Sequence, residues 1–487
     1  MKKSRFMWLS IAFLLFFGVC TASWSPSAVA QSEEGKTYLI GTDITFAPFE
    51  FQRDGKYIGI DMDLMAAIAQ DQGFKYEIRP LGFNAALQAL QANQIDGMIA
   101  GMSITDERKQ TFDFSEPYYE SGVVMAVGQK NDTIKGYEDL RGQRVAVKTG
   151  TEGYSFASSI KDKYGFTLVP FDDSAQMYQE VTSGNSVACF DDYPVIAYAI
   201  QQGLQLKTVT EKEKGAPYGF AVNKGRNTEL MQKFNTGLAN LKANGQYDSI
   251  VAKYLGSSTP GQESTTPPPP KSSLEIMSAA FPELLKGLGM TLLYTIMSLF
   301  FAFILGLIFA FMKVGHNKFG RAIATIFVDV FRGIPLIVLG FFIYFGLPAA
   351  FGFKMPLIVG AVLALSLNAG AYVTEIIRGG IQSIDQGQME AARSLGLTHR
   401  TAMIKVILPQ AIKVMIPSFI NQLVITLKDT SIMSAIGLIE LTQSGKIIIA
   451  DNYASFEIWS MVAIMYLIVI TILTKLADSV ERRTRRG

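Results

Sequence analysis

The fragment GMSITDERK places Thr105 where a helix N-cap would stand and Arg108 in the first turn of that helix. The positive end of the helix dipole disfavours an arginine there. Arg108 makes sense if it is held over an anion, because its planar guanidinium grips a carboxylate at two points. From this fragment alone, a surface arginine on a solvated turn is the simpler reading. KTGTEG, Lys148 to Gly153, is a glycine-containing turn entering a helix, and such a turn offers backbone N–H groups to an anion. Histidine chemistry is poorly supplied: His316 and His399 are the only histidines. They are far apart and lack a Cys or acidic cluster at ligand spacing, which argues against a zinc site or a His-based dyad. The cysteines are Cys20 and Cys189; removal of Cys20 with an export signal leaves one thiol and no internal disulfide.

The elements that must hold these groups follow from composition. Of 487 residues, 49% are hydrophobic and 18% charged, against roughly a quarter charged in soluble chains. Disorder is excluded and an ordinary cytosolic enzyme is disfavoured. Lys+Arg 44 against Asp+Glu 42 gives a net charge of +2, with no nucleic-acid footprint. Residues 1–30 read as a signal peptide: Lys2, Lys3 and Arg5, then WLSIAFLLFFGVC, then Ala28-Val29-Ala30. That apolar run is short for a membrane anchor, and Val19 ahead of Cys20 disfavours lipidation. Residues 31–256 form an exported unit, α/β from residue 37. In it the strand-like runs TYLIGT, FKYEIRP, DGMIAG, GVVMAV, QRVAVK and GFAV alternate with amphipathic helices. One helix, DMDLMAAIAQDQ, stops at Gly73. The alternation predicts parallel strands covered by helices. Residues 257–273, SSTPGQESTTPPPPKSS, are a linker that reaches about 50 Å if extended.

Residues 274–487 are an all-α membrane domain of about five spans: Gly287–Met312, Gly333–Phe353, Met355–Thr374, a polar-interrupted Val414–Leu427 continuing past Lys428-Asp429, and Ile458–Thr474. One set of loops carries Lys313, Lys318, Arg321 and Arg332, then Arg378, Arg393, Arg400, Lys405 and Lys413, then Lys475 and Arg482 to Arg486. The other carries only Lys354 and Lys446. The basic set belongs in the cytoplasm. Five spans then put the C-terminus inside and the linker outside, and the signal independently exports the α/β domain. Lys428 and Asp429, ionisable groups in an apolar segment, could line a translocation path or pair near the outer interface.

GTDITFAPFEF, GKYIGIDMDLMAAIA, AGMSITDERKQTFDFSEPYYESG, DLRGQRVAVKTGT and NGQYDSIVAKYLG resemble the periplasmic polar amino-acid-binding proteins, the glutamine binders among them. The resemblance implies two lobes with a hinge near residues 125–130 and 213–220. The first lobe would run from Thr37 to about Met125 and from about Tyr218 to Gly256. It implies that Arg108 binds the α-carboxylate with Ser103, Gly101 and Thr151. In FDDYPV the acid before Tyr-Pro matches the ammonium-binding position, which selects Asp192 over Asp191. Phe46 and Phe83 would sandwich the aliphatic part, and Asp43 with Lys148 would recognise a neutral amide. Phe190-Asp191 departs from the glutamine-binder pattern next to the site.

FVDVFRGIPLIVLGFFIYFGLP, LSLNAGAYVTEIIRGGIQSI and LKDTSIMSAIG resemble the polar amino-acid permeases of ABC importers. EAARSLGLTHRTAMIKVILPQ, residues 390–410, is similar to their cytoplasmic EAA loop, with Glu390, Ala391, Ala392, Gly396, Leu408 and Pro409 at matching positions. The small residues Ala391, Ala392 and Gly396 would let a short helix pack closely into an ATPase groove. A P-loop is missing. The nearest approach, AQSEEGKT, has Ala30 for the first glycine and falls at the signal junction. The implied assembly is an importer for glutamine or related polar L-amino acids in the plasma membrane. It would pair two copies of the chain with two separate ATPases, surrounded by lipid. The chain itself would hold no cofactor, no metal and no catalytic residue. The alternatives are a ligand-gated channel, which the uninterrupted run of residues 37–256 disfavours, and a transmembrane amino-acid sensor, for which no signalling domain is present.

Overall fold

Short apolar runs assemble into two five-stranded sheets, one in each lobe of the exported half. In this computed structural model the described residues are 36–53, 55–256, 272–315 and 317–486, with side chains described to residue 476. The signal peptide, His316 and all but the end of the linker lie outside them. In the first sheet the order is Lys75–Pro80, Thr37–Thr42, Gly97–Met98, Ala221–Asn223, Phe112–Phe114. In the second it is Thr167–Phe171, Arg144–Lys148, Ala188–Asp192, Val123–Gly128, Leu206–Thr208. Helices cover both sheets, and Gly73, in the left-handed region at φ 65°, ends the helix Ile60–Gln72.

Two expectations are corrected. The sheets are mixed rather than parallel: Ala221–Asn223 runs antiparallel to its neighbours in one, and Val123–Gly128 does so in the other. The first hinge crossing lies before residue 123, not at 125–130. Val123 to Val127 are all at most 1% exposed, which marks them as a central strand of the second sheet buried on both faces. The chain therefore passes between lobes just ahead of it. There Tyr119 pairs with Tyr218 in an isolated bridge and their rings stack at 5.8 Å. The return crossing runs alongside, so close that a Cβ on Gly215 would meet Gly122 Cα at 3.0 Å.

Among the described residues of the second half four helices are long and apolar enough to cross a membrane: Ser273–Val314, Leu357–Gln382, His399–Ile436 and Ser455–Leu476. A fifth crossing is reached if Lys318–Gly333 and Leu336–Phe351, bent by 105°, count as one span. The segment expected as one span over 333–353 is the second arm of this bent pair. Pro335 explains the break, since it has no N–H to donate and keeps Ile334 out of helical geometry. As expected of the polar-interrupted span, the chain continues past Lys428-Asp429: the helix Leu408–Asp429 passes directly into the 3₁₀ turn Thr430–Ile436. Glycines let these helices approach. A Cβ at Gly306 would lie 2.3 Å from Val373, and one at Gly380 would lie 2.2 Å from Met415.

Candidate functional site

The site is assembled where the facing edges of the two lobes meet. Thr105 caps the short helix Asp106–Lys109, its Oγ1 accepting from Arg108 N at 3.2 Å. This fixes Arg108 at the rim of the first lobe. Its guanidinium donates to Ser103 O at 2.9 Å and to Gly150 O of the second lobe, and lies 5.4 Å from the Phe83 ring centroid. From the second lobe, Thr151 caps Glu152–Tyr164 and donates its hydroxyl to Lys148 O at 2.7 Å. Lys148 Nζ reaches across to Asp43 Oδ2 at 2.6 Å, both side chains 1% exposed. The same ammonium lies 4.7 Å from the Phe46 ring centroid. Gly101, at φ 53°, leaves no space for a larger residue, since a Cβ there would stand 2.6 Å from Phe46 Cε1.

Asp191 and Asp192 are separated by the two-residue period of a strand, which turns successive side chains to opposite faces. Asp191 points into the second lobe and accepts from Ser174 Oγ at 3.0 Å and Tyr178 OH at 2.7 Å. Asp192 faces the cleft, one oxygen accepting from Tyr218 OH and the other without a partner among the described residues. Phe46, Phe83, Gly101, Ser103, Arg108, Lys148, Thr151 and Asp192 line one cavity of about 10 Å³. Asp43 does not line it and instead stands behind Lys148. Ala100 and Glu152 complete the lining; neither carries a signal in the sequence beyond adjacency to Gly101 and Thr151. Asn84 was also not foreseen: its amide donates to Thr149 Oγ1 at 2.8 Å and ties the lobes together.

Burial pushes the Asp192 carboxyl up to about 7, and the adjacent Asp191 charge adds to this against the Tyr218 hydrogen bond. Burial also opposes both charges of the Asp43–Lys148 pair. Their mutual attraction outweighs it, so Asp43 sits below and Lys148 above its ordinary value. Under Gly101 lies a feature the sequence did not reveal. Asp61 accepts from Gly101 N at 2.8 Å and from Tyr118 OH at 2.8 Å. Buried Glu50 lies beside Asp61, raised well above the carboxylate range by burial and by the Asp61 charge. Two buried carboxyls without a cation between them share a proton rather than both ionise.

Residues 38–257 match the family "Bacterial extracellular solute-binding proteins, family 3", and residues 302–486 match "Binding-protein-dependent transport system inner membrane component". The second match is shared with full-length relatives. The chain is 39% identical over 207 residues to "Glutamine transport system permease protein GlnP" of Escherichia coli strain K12, covering 42% of this chain and 94% of that one. The chain belongs to this inner membrane component family. It is also 38% identical over 210 residues, 43% of this chain and 94% of the relative, to "Probable amino-acid permease protein YxeN" of Bacillus subtilis strain 168. Among solved structures, substrate binding domain 2 of Lactococcus lactis GlnP in its open conformation is 45% identical. It covers 47% of this chain and 99% of that one, with a TM-score of 0.37. The molecule is thus an ABC amino-acid importer subunit, a multi-pass membrane protein with a fused extracellular binding domain, and not an enzyme.

In the EAA segment, Asp385 caps the helix Gln386–Ser394, on which Glu390 and Ala391 are exposed while Ala392 is buried against the rest of the subunit. Leu395 is 84% exposed, an apolar side chain left in the open at the end of this helix. Gly396 follows the helix at φ 84°, a left-handed turn that suits glycine, and among the described residues nothing lies within 4 Å of where its Cβ would be. Leu408 and Pro409 begin the helix Leu408–Asp429, Leu408 half-buried and Pro409 exposed.

Proposed function

We propose that the importer takes up glutamine or a closely related polar L-amino acid, and that its lobes close around the substrate before delivering it to the membrane domain. The observation that carries this reading is the opposition of Arg108 and Asp192 across one small cavity walled by Phe46 and Phe83. A cation and an anion lining one cavity, with aromatic faces beside them, complement the carboxylate, ammonium and aliphatic stem of a zwitterion. Lys148 lines the cavity as a donor while Asp43 behind it offsets its charge, which suits a neutral amide better than a charged side chain. The relatives named for glutamine transport agree with this choice.

In this reading two copies of the chain work with two copies of a separate ATPase, which engages the exposed Glu390–Leu395 helix surface. The basic loops and the C-terminus face the cytoplasm. Supporting that sidedness, Lys354, from the loop set poor in basic residues, pairs with Asp96 of the binding domain at 2.9 Å. The test is calorimetric titration of the full chain with L-glutamine, L-glutamate, L-asparagine and L-arginine, followed by uptake into proteoliposomes. Glutamine should bind most tightly and accumulate only with the ATPase and ATP on the cytoplasmic side. Preference for a charged amino acid would refute the amide reading, and uptake without ATPase would refute the transport reading.

A further inference from the structure

The binding domain meets the membrane domain at two places that differ in kind. The first involves only the first lobe. The Gln94 side-chain amide donates to Phe353 O at 2.8 Å and accepts from Met355 N at 2.6 Å, while Asp96 pairs with Lys354 between them. Close by, Gly437 lies so near Leu81 that a Cβ would come within 2.8 Å of it. This contact holds one lobe whatever the other lobe does.

The second place involves both lobes. The helix Leu441–Asn452, which joins the last two long helices of the membrane domain, lies against strands Thr45–Phe46 and Glu50–Arg53 of the first lobe and helix Ser174–Thr182 of the second. On the first-lobe side, Arg53 donates through Nε and Nη2 to Asp451 Oδ1 at 3.0 and 2.9 Å. Toward the second lobe, Ala175 packs in one apolar cluster with Leu441, Ile448 and Ile449. The ring of Tyr453 lies 6.2 Å from that of Tyr178. Tyr453 ends the helix at φ 55°, a conformation that non-glycine residues adopt rarely, so its ring is held by a fixed corner. Tyr178 in turn donates to Asp191, the neighbour in sequence of cavity-lining Asp192.

A rigid helix can satisfy contacts to two hinged bodies in only one of their relative arrangements, because packed interfaces are bistable rather than continuously deformable. In this arrangement the lobes are closed, joined by Lys148–Asp43, Arg108–Gly150 and Asn84–Thr149. We propose that the helix Leu441–Asn452 with Tyr453 is a clamp that senses closure of the binding domain, gripping Arg53 on one lobe and Tyr178 on the other, while the Gln94–Asp96 contact is a constant anchor. The clamp favours the closed arrangement. By linkage it must then raise substrate affinity by the same factor by which substrate strengthens the clamp.

This rests on the importer reading, and its test uses the full chain with its ATPase in proteoliposomes. Substrate affinity and substrate-stimulated ATP hydrolysis are measured with L-glutamine, L-asparagine, L-glutamate and L-arginine, using whichever stimulates the wild type most. Asp451→Arg and Tyr453→Ala, neither of which lines the cavity, are expected to weaken substrate affinity about fivefold or more and to lower stimulation in parallel. Arg53→Asp should do the same. Combining Arg53→Asp with Asp451→Arg should restore both readouts and thereby separate a lost contact from a misfolded chain. Unchanged affinity and stimulation in the single variants, or a loss that the charge swap fails to recover, overturns the clamp. A wild type that responds to another amino acid but not to glutamine refutes the substrate reading alone.

Discussion

Lys148→Met tests the electrostatics of closure quantitatively. In the closed site Lys148 is the only partner of Asp43 Oδ2 among the described residues, while Oδ1 accepts from Ile44 N, Thr45 N and Thr45 Oγ1 at 2.7, 3.1 and 2.8 Å. The methionine fills the same space without charge, so closure would bury an unpaired carboxylate. Losing one partner of a buried pair costs about 3–5 kcal/mol. Protonation sets an upper limit on that cost. From the ordinary value of 3.8, neutralising Asp43 at pH 7 requires about 3.2 units, or about 4.4 kcal/mol. At pH 5 the same step requires about 1.2 units, or about 1.6 kcal/mol. Because the closure penalty enters the apparent affinity directly, Lys148→Met should weaken substrate binding by up to about a thousandfold at pH 7 and by about fifteenfold at pH 5. The assay is calorimetric titration of the full-length variant and wild type at both pH values, with the ratio taken at each pH so that Asp192 titration cancels. Adding Asp43→Asn removes the orphaned charge and should recover most of the loss. A mutant-to-wild-type ratio that does not change with pH, or a double variant as weak as the single one, would refute the assignment of this pair as a closure contact.

Arg108→Ala should weaken amino-acid binding by about a hundredfold or more through loss of a charge-assisted bidentate contact, with Arg108→Lys recovering only part of it in the same titration. In substrate-free protein, the closed population seen by single-molecule fluorescence transfer should rise as pH falls from 8 to 5. In this closed arrangement the Asp192 carboxyl stands at about 7 against an ordinary 3.8, and rehydration in an open cleft would lower it, so closing would take up a proton; the gain should be up to about a hundredfold and absent in Asp192→Asn. Gly101→Ala must place a Cβ 2.6 Å from the Phe46 ring at φ 53°. It should lower stability by about 1–2 kcal/mol, read as a reduced Tm, and weaken substrate binding by displacing Phe46.

How much of this was legible in the sequence depends on the length scale of each feature. Local signals served well: Thr105 capping its helix and Gly73 ending another are decided within a few residues, whereas the break at Pro335 was passed over because the apolar run continues through it. The strand period likewise separates Asp191 from Asp192 without any long-range information. Sheet direction was misread because the apolar run at Val123–Val127 is the same in a parallel or an antiparallel strand, and only its partner in space decides. The hinge was misplaced for the same reason. The Glu50–Asp61 pair was invisible, since nothing local distinguishes a buried acid from a solvated one. The contacts between the two halves join residues such as Arg53 and Asp451, hundreds of positions apart, which no local pattern connects.

The closing faces carry opposed electrostatic demands, and their balance gives the tethered arrangement its logic. Lys148 meeting Asp43 favours closure. Asp192, stripped of water beside Asp191, opposes it unless a proton or a substrate ammonium neutralises the charge. Closure thus answers to the chemistry of the bound molecule. A binding domain on a linker of this length is held beside the membrane domain at roughly millimolar effective concentration, and the Gln94–Asp96 anchor engages whichever way the second lobe stands. Association is therefore nearly always satisfied and carries little information about substrate. The signal to transport must lie in the relative position of the lobes, and that is the quantity a helix touching Arg53 on one side and Tyr178 on the other is placed to report.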